Sequence, residues 1–536
     1  MLHFHLDNGN KTTQENTHLK IEDIFNRFIT LLAALIVTCL GIAALFHTII
    51  FPLDYSEKPT NSLKYSIAGT VGFFILAGAA YYTGKHLKFK RLPSLKTFYR
   101  IQTYTALFIG LTWLSIATTS PVADQGTSIT LSIWLQNNDL GNLHANDYLQ
   151  QYPFQSGYIL FCTLMGQLFG MNNMLPIRLF NLLMIIVSLK TLCKITERMF
   201  KNDAVTKTTI VLSTAFLPLI LFATFIYGNI PSLAFCLLAC LLQMAAIQAS
   251  DDIRKRLAYG TLSAACLFVA LWFKPNSLIF LIGIELIWLV ILFAHKRVLV
   301  ITFIILGAVA YIAASAIPIF LMESRINVPL DNPTPKTAWI AMGLQESRDR
   351  APGWYNNYVV NIYKEAPHDN NQVDAMAKEA IAQRIQAFTQ DPLYAAHFFT
   401  RKVATTWAEP TFQSLWISYG GTGGERADLT QSKLEHEIMR GGLHAIYIVY
   451  CDIIQNIIYI GASYCLIFRW RGLTTKQITL IVIFLGGFTF HLFWETKSDY
   501  VLPYFLLLIP YAAAGWHDTI FTNRKMIYSQ LKVQSK

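Results

Sequence analysis

Charge is what this chain has least of. Only 14% of its 536 residues are Asp, Glu, Lys or Arg, where soluble domains carry about 25%. Hydrophobic residues make up 54% and the mean hydropathy is +0.39, so the long apolar runs read as membrane spans and not as core helices. Cysteine is also sparse. Cys39, Cys162, Cys193, Cys236, Cys240, Cys266, Cys451 and Cys465 all sit in or beside apolar runs, and none lies in the large polar loop. This argues against a disulfide framework, and no pair has zinc-ligand spacing; Cys236 and Cys240 share a helix face as small packing residues. No cleavable signal peptide is expected, because the chain is polar for more than twenty residues before its first apolar run, and that run must itself target the chain. No internal repeat is strong enough to suggest an inverted-repeat transporter.

The positive charge that is present is distributed in a telling way. A net +11 does not imply nucleic acid here, because the basic residues form short clusters between apolar runs, as the positive-inside bias produces. Twelve spans are predicted, at roughly 28–50, 66–83, 98–119, 175–196, 208–227, 231–249, 257–273, 276–294, 298–321, 443–467, 477–494 and 500–521. The cytoplasmic side then holds Lys85, Lys88, Lys90, Arg91 and Lys96, followed by Lys190, Lys194, Arg198, Lys201 and Lys207. It also holds Arg254–Arg256, Lys296–Arg297, Arg469–Lys476 and the basic tail. The run 158–170 is apolar but short for a crossing of about 20 residues, so it is placed as an interfacial or re-entrant helix on the outer side. Both termini are then cytoplasmic.

The stretch from Ser120 to Gly157 carries Asp124, Asp139 and Asp147 and not one Lys or Arg; it reads as an outer loop, with Asp124 where the chain leaves the lipid. The largest outer feature is 322–442. Within it Asn371–Gln390 reads as an amphipathic helix, Asp391 as the cap and Pro392 as the first turn of a second, aromatic-rich helix to Trp407. The Gly-rich GTGGERADLT after Gly420 reads as mobile.

Two acids, Glu285 and Asp452, fall at membrane depth, and such residues are functional candidates by default. A proton-coupled transporter would need them; a neutral, hydrogen-bonded carboxyl holding helices together would look the same. The outer ends of the spans are richer. Asp124 follows the third span, Arg178 and Asn181 begin the fourth, and Tyr227–Pro231 and Lys274-Pro275-Asn276 form tight outer turns. His491, Glu495, Lys497, Asp499 and Tyr500 cluster between the last two spans. Singly, each is readily structural: Lys274 snorkels to headgroups, or Glu495 pairs with Lys497. Together they set carboxylates and cations at headgroup depth, where a lipid phosphate would sit.

An acid just after a span, a polar loop ending in YPFQSGYILFCTLMGQLFG, and then LPIRLFNLLMIIVSLKTLCKITERMF resemble the GT-C superfamily of membrane glycosyltransferases, nearest its protein-mannosyltransferase and aminoarabinose-transferase branch in bacterial cell-envelope form. The late segment FHLFWETKSDYVLPYFLLLIPYAAAG is similar to that branch's closing helices. The resemblance covers 98–321 strongly and 443–521 moderately. It implies an all-α polytopic fold of about 12 transmembrane helices with an interfacial helix and a helical extracytoplasmic loop region. It also implies sugar transfer from a polyprenyl-phosphate donor to a cell-envelope glycopolymer or protein, with the first-loop acid, here Asp124, as base. Arg178, Lys274 and Lys497 are the candidate phosphate ligands, and Glu495 and Tyr500 complete the candidate substrate-binding set.

This chain departs from the family in two ways. The family often has a second acid beside the first, where Gln125 stands here, so metal use is left open: no cofactor is called for with certainty, and a divalent metal is compatible. Spans one and two, within 1–97, precede the usual first span. The expected organisation is 1–97 as addition, 98–321 as catalytic membrane core with its first loop at 120–174, 322–442 as outer loop region and 443–536 as closing spans and tail. One carboxylate with cations suffices chemically, since a lipid phosphate leaves readily once its charge is held, and glycosidase-type paired carboxylates are not required. The alternative expectation is a transporter or lipid flippase using Glu285 and Asp452.

Overall fold

The computed structural model describes residues 8–53, 58–86, 93–118, 121, 123–249, 252–295, 298–367, 369–418 and 432–521. The GTGGERADLT stretch, the basic residues Lys88, Lys90, Arg91, Lys296 and Arg297, and the basic tail lie outside the described residues. Within them the chain is an all-helical, multi-pass membrane protein. Nine helices are long and apolar enough to cross a bilayer, ten if the bent pair Asp203–Ala215 and Leu217–Thr224 counts as one crossing.

In chain order, α1 (Asn8–Phe46) and α2 (Leu63–His86) are joined through a two-residue antiparallel pairing of β1 (Ile49–Ile50) with β2 (Thr60–Asn61). Then come α3 (Leu95–Ile116), α4 (Asp124–Gln136), the short α5 (Leu140–His144) and α6 (Tyr148–Gln151), α7 (Ser156–Phe169) and α8 (Leu175–Phe200). The bent pair is α9 (Asp203–Ala215) and α10 (Leu217–Leu221), followed by α11 (Asn229–Gln248), α12 (Ile253–Phe273), α13 (Leu278–His295) and α14 (Leu299–Ile326). Between α14 and the closing helices lie α15 (Lys336–Gly343), α16 (Tyr358–Glu365), α17 (Asn370–Gln390), α18 (Pro392–Trp407) and α19 (Lys433–Met439). The chain closes with α20 (Gly442–Arg469), α21 (Thr475–Phe493), α22 (Ser498–Leu506) and α23 (Ile509–Phe521).

Helices α8, α11, α12, α21 and α23 bury one another around fully enclosed side chains such as Leu189, Leu237, Cys240, Phe484 and Tyr511. Lipid is as apolar as these residues, so close packing and interhelical hydrogen bonds, not water exclusion, hold the seams. Two examples are Gln102 Nε2 to Ser213 Oγ (3.0 Å) and Gln243 Nε2 to the Ile284 carbonyl (2.8 Å). All eight cysteines are free.

Three of the twelve expected crossings take a different form, the 208–227 run being the bent pair, with 54° between its halves. The run at 98–119 is the 22-residue α3, whose first turns carry Lys96 and Arg100 and which also holds Gln102 and Thr103. The run at 500–521 is two pieces, of 9 and 13 residues. The 158–170 run is the 14-residue α7, about 21 Å long at 1.5 Å per residue and short of a hydrocarbon core of about 30 Å.

The two added spans pack on α20, and Asp452 is the fastener. Thr48 Oγ1 donates to its Oδ1 (2.9 Å) and Asn456 Nδ2 to its Oδ2 (3.2 Å), while α2 passes so close that a Cβ on Gly69 would lie 1.8 Å from Oδ2. The backbone N–H of Ile49 reaches the Ala408 carbonyl (3.0 Å) at the end of α18. The two helices expected at 371–407 are present: α17 buries Val373 and Ala377, and Asp391 caps α18 by accepting from the Tyr394 N–H (2.9 Å) with Pro392 in the first turn.

Candidate functional site

Asp124 is the first residue of α4, and its side chain does not cap that helix. It turns to the next loop, where Oδ2 accepts from the Tyr227 hydroxyl (3.1 Å), and the Tyr148 phenol also bonds to it. The rest of the side chain is exposed. Ala123, immediately before it, has φ 50° and ψ −133°, a conformation costly for a residue with a Cβ and of the kind that collects at functional sites. Gln125, where a second acid was the alternative, is an anchor: its Oε1 accepts from the Ile226 N–H (2.9 Å) and its Nε2 donates to the Ile417 carbonyl (3.4 Å). That double clamp sets Tyr227 opposite Asp124. Gln155, from the YPFQSG run, donates to the same phenol oxygen.

The turn carrying Tyr227 can approach only because two glycines let backbones touch. A Cβ on Gly228 would lie 2.0 Å from the Phe273 carbonyl oxygen, and one on Gly157 would lie 2.2 Å from that of Trp272. Lys274 follows directly, and its ammonium stands 3.9 Å from the centre of the Tyr227 ring. Burial brings this ammonium down to about 8, against the pull of Asp124, Asp499 and Glu495. Burial likewise pushes the Tyr227 phenol up, reinforced by Asp124, so it stays a neutral donor to the carboxylate.

The third contributor is the turn before α22. Glu495, Lys497 and Asp499 are 6%, 8% and 4% exposed, unusual enclosure for three charges so close in sequence. Tyr500 donates to Glu495 Oε1 (3.4 Å) and lies within the field of Asp124, Asp499 and Tyr227. Lys497 lies over Trp416 (5.3 Å) and Tyr355 (5.6 Å). Lys402 of α18 secures the turn: its ammonium donates to the Gly343 (2.6 Å) and Trp494 (2.8 Å) carbonyls. Burial lowers it to about 7 while nearby Glu495 holds it up. Beside Lys274 a narrow cleft, lined by Asn229, Ser232, Phe280, Tyr500 and Tyr504, runs between α11, α13 and α22.

Of the predicted site residues, Asp124, Lys274, Glu495 and Tyr500 converge, with Lys497 on the adjoining aromatic wall. Arg178 stands in the first turn of α8, where one of its contacts is with Met174 Sδ (4.0 Å). Asn181 ties α8 to the Phe225 carbonyl (2.7 Å), just ahead of Tyr227. Asp139 is a cap, holding the Asn142 N–H (3.2 Å) and side-chain amide (2.6 Å). Tyr227, Gln155, Tyr148 and Lys402 were not singled out as site residues; for Gln155 and Tyr227 the one signal was that each stands in a polar, turn-forming stretch between apolar runs.

The membrane-depth acids stand apart from this cluster and from each other. Asp452 lies in the α1–α2–α20 seam, and Glu285 faces Gly307 between α13 and α14. Among the described residues no three His, Cys, Asp or Glu side chains are grouped to hold a metal ion. The class defined by the helices is a multi-pass, all-helical membrane protein with charged groups gathered where several of them end. No protein-family model, curated protein or solved structure matches the chain.

Proposed function

We propose that the chain is an integral membrane glycosyltransferase that moves a sugar from a polyprenyl-phosphate donor to a cell-envelope glycopolymer or protein. The observation that carries this reading is one exposed carboxylate, Asp124, hydrogen-bonded to Tyr227 while the Lys274 ammonium stands over the face of the same ring. Asp124 takes the proton of the acceptor hydroxyl as its oxygen bonds to the anomeric carbon; the bond from that carbon to the phosphate oxygen breaks, and the lipid phosphate leaves with the electron pair. Lys274, with Lys497 on the adjoining wall, holds the charge that builds on that phosphate, which is where fixed cations lower a barrier most. Tyr227 and Gln155 keep Asp124 oriented, and Glu495 and Tyr500 line the substrate side. The cleft beside Lys274 receives the first part of the polyprenyl chain.

In this reading α3 and the α22–α23 pair complete twelve crossings. Helix α7 lies at the outer interface, both termini are cytoplasmic and the site is extracytoplasmic in the plasma membrane. Residues 98–321 form the catalytic core and 322–442 help to bind the acceptor. The test is transfer of labelled sugar from a polyprenyl-phosphate donor by the protein reconstituted in vesicles with envelope acceptors. Donor-dependent transfer that weakens in Lys497→Ala supports the reading; a donor requirement unchanged in Lys497→Ala removes that residue, and no transfer from any polyprenyl-phosphate sugar overturns the function.

A further inference from the structure

The two added spans are joined through the β1–β2 hairpin, which reaches the loop after α18. The hairpin pairs Ile49 with Asn61 and Ile50 with Thr60, and the Ile49 N–H holds the Ala408 carbonyl where that loop begins. Directly after β1 comes Phe51, 4% exposed. Its ring stacks on Trp354 (5.5 Å between centres, 23° between planes) and meets Trp416 edge-on (5.7 Å, 83°). The Lys497 ammonium lies over the Trp416 ring and over Tyr355, the chain neighbour of Trp354. Phe51 therefore backs both aromatic residues on which Lys497 rests, Trp416 by contact and Tyr355 through the residue before it.

The loop that carries Trp416 needs such support. Phe412 and Gln413 are consecutive non-glycine residues in the left-handed region, at φ 49° and 56°, a conformation that persists where surrounding contacts enforce it. Glu409 supplies part of the hold. It is 0% exposed and accepts from the Thr411 N–H (2.9 Å), the Thr411 hydroxyl, the Gln413 N–H (2.8 Å) and the Ser498 hydroxyl (2.8 Å). Those four donors match the lone-pair sites of one carboxylate. Ser498 directly follows Lys497, so the loop and the turn that carries the cation are fastened to each other. We infer that the β1–β2 hairpin braces the site, with Phe51 as a positioning residue that acts on Lys497 through Trp416. A lysine ammonium rides on a long, flexible stem and is drawn to the face of a ring by its quadrupole, so the orientation of the Trp416 indole sets where it rests. An edge-on ring contact is directional, and Phe51 holds the indole against rotation. The added spans thereby gain a part in the site. The expected effect on transfer rests on the reading of Lys497 as a phosphate ligand; the placement of its ammonium does not.

The test uses full-length protein in lipid nanodiscs and two readouts. One is acetylation of lysine amines by acetic anhydride, followed residue by residue with mass spectrometry. The other is the kinetics of sugar transfer from a polyprenyl-phosphate donor. In Phe51→Ala, labelling of Lys497 should rise about fivefold while that of the buried Lys402 stays unchanged, as expected for loss of one oriented ring contact. The donor KM should rise about tenfold with kcat changed less than about threefold, the pattern of lost ground-state binding. Phe51→Tyr, which keeps the ring, should bring both readouts back to within about twofold. Unchanged labelling of Lys497 in Phe51→Ala overturns the inference, and so does a parallel rise at Lys402, which would make Phe51 a general packing residue. Raised labelling of Lys497 with an unchanged donor KM keeps the brace and removes Lys497 as a phosphate ligand. Raised labelling when the unmutated protein transfers no polyprenyl-phosphate sugar keeps the brace and overturns the proposed function. If Phe51→Ala does not fold, Phe51→Leu, which keeps apolar bulk but offers no ring, is read in the same way.

Discussion

Asp124 and Asp452 are two acids that the protein treats in opposite ways. Asp452 is 0% exposed; Thr48 and Asn456 each hold one of its oxygens, and Gly69 leaves no space for anything else. Asp124 is exposed, bonded by the phenols of Tyr227 and Tyr148, with a cation over the Tyr227 ring. Both lie beside apolar sequence, and by depth Asp452 is the more suspicious. The contrast shows that depth in an apolar run marks cost, not use: a carboxyl buried and closed in by donors fastens helices, while one exposed at a helix start can exchange a proton.

The sharpest way to break this contrast is Asp124→Asn. It keeps the shape and the Tyr227 contact but cannot take a proton, and sugar transfer should fall by about 10²–10⁴, or roughly 3–5 kcal/mol of barrier. Activity within a few-fold of the unmutated protein would remove Asp124 as base.

Tyr227→Phe comes next. It leaves the ring under Lys274 but takes away the donor to a charged oxygen, an interaction worth roughly 1.5–3 kcal/mol, so transfer should drop about 10- to 100-fold. An unchanged rate would mean that Asp124 is oriented by Tyr148 alone.

The third prediction uses pH. Lys274 has its ammonium lowered from 10.5 to about 8 by burial, so it is charged below that pH and donor use should decline as pH rises through about 8. Lys274→Arg, which stays charged, should carry activity to higher pH, though at lower maximum rate. The stability sign is opposite: because the folded value is depressed, this group favours the fold increasingly as pH climbs from about 8 towards 10.5. A pH profile identical in Lys274→Arg would show that another group sets the limb.

The smallest effect is expected at the fastener. Asp452→Asn keeps the acceptor for Thr48 and pairs with Asn456 once the Asn456 amide turns to offer its oxygen, and it should leave transfer within about threefold, at a cost near 1 kcal/mol in stability. A loss as large as that of Asp124→Asn would erase the distinction and revive the transporter reading.

Much of the framework was legible in the sequence because it is local. Apolar runs of the right length marked the positions of the long helices, and the Asp391-Pro392 pair marked the break between α17 and α18, since a cap and a ring-locked first turn need only neighbours. The clustering of charge at the helix ends near Lys274 and Glu495 was legible too. What sequence reading missed was contact across distance: Tyr227 meets Asp124 103 residues away, and Gln155 meets Tyr227 across 72. Lys274 is one cation among several at helix ends, and its place over the Tyr227 ring depends on packing and not on composition.

Hydropathy and charge by themselves determined that this chain lives in a membrane as a bundle of helices, because transfer of apolar and backbone groups into lipid depends on composition and length alone. Only the tertiary structure decided which polar residues do what. Whether a carboxylate is closed in by donors, opened beside a phenol and a cation, or saturated like Glu409 is set by backbones from remote segments approaching within a few ångströms. Single glycines at 69, 157 and 228 permit those approaches, and no local pattern in the chain records them.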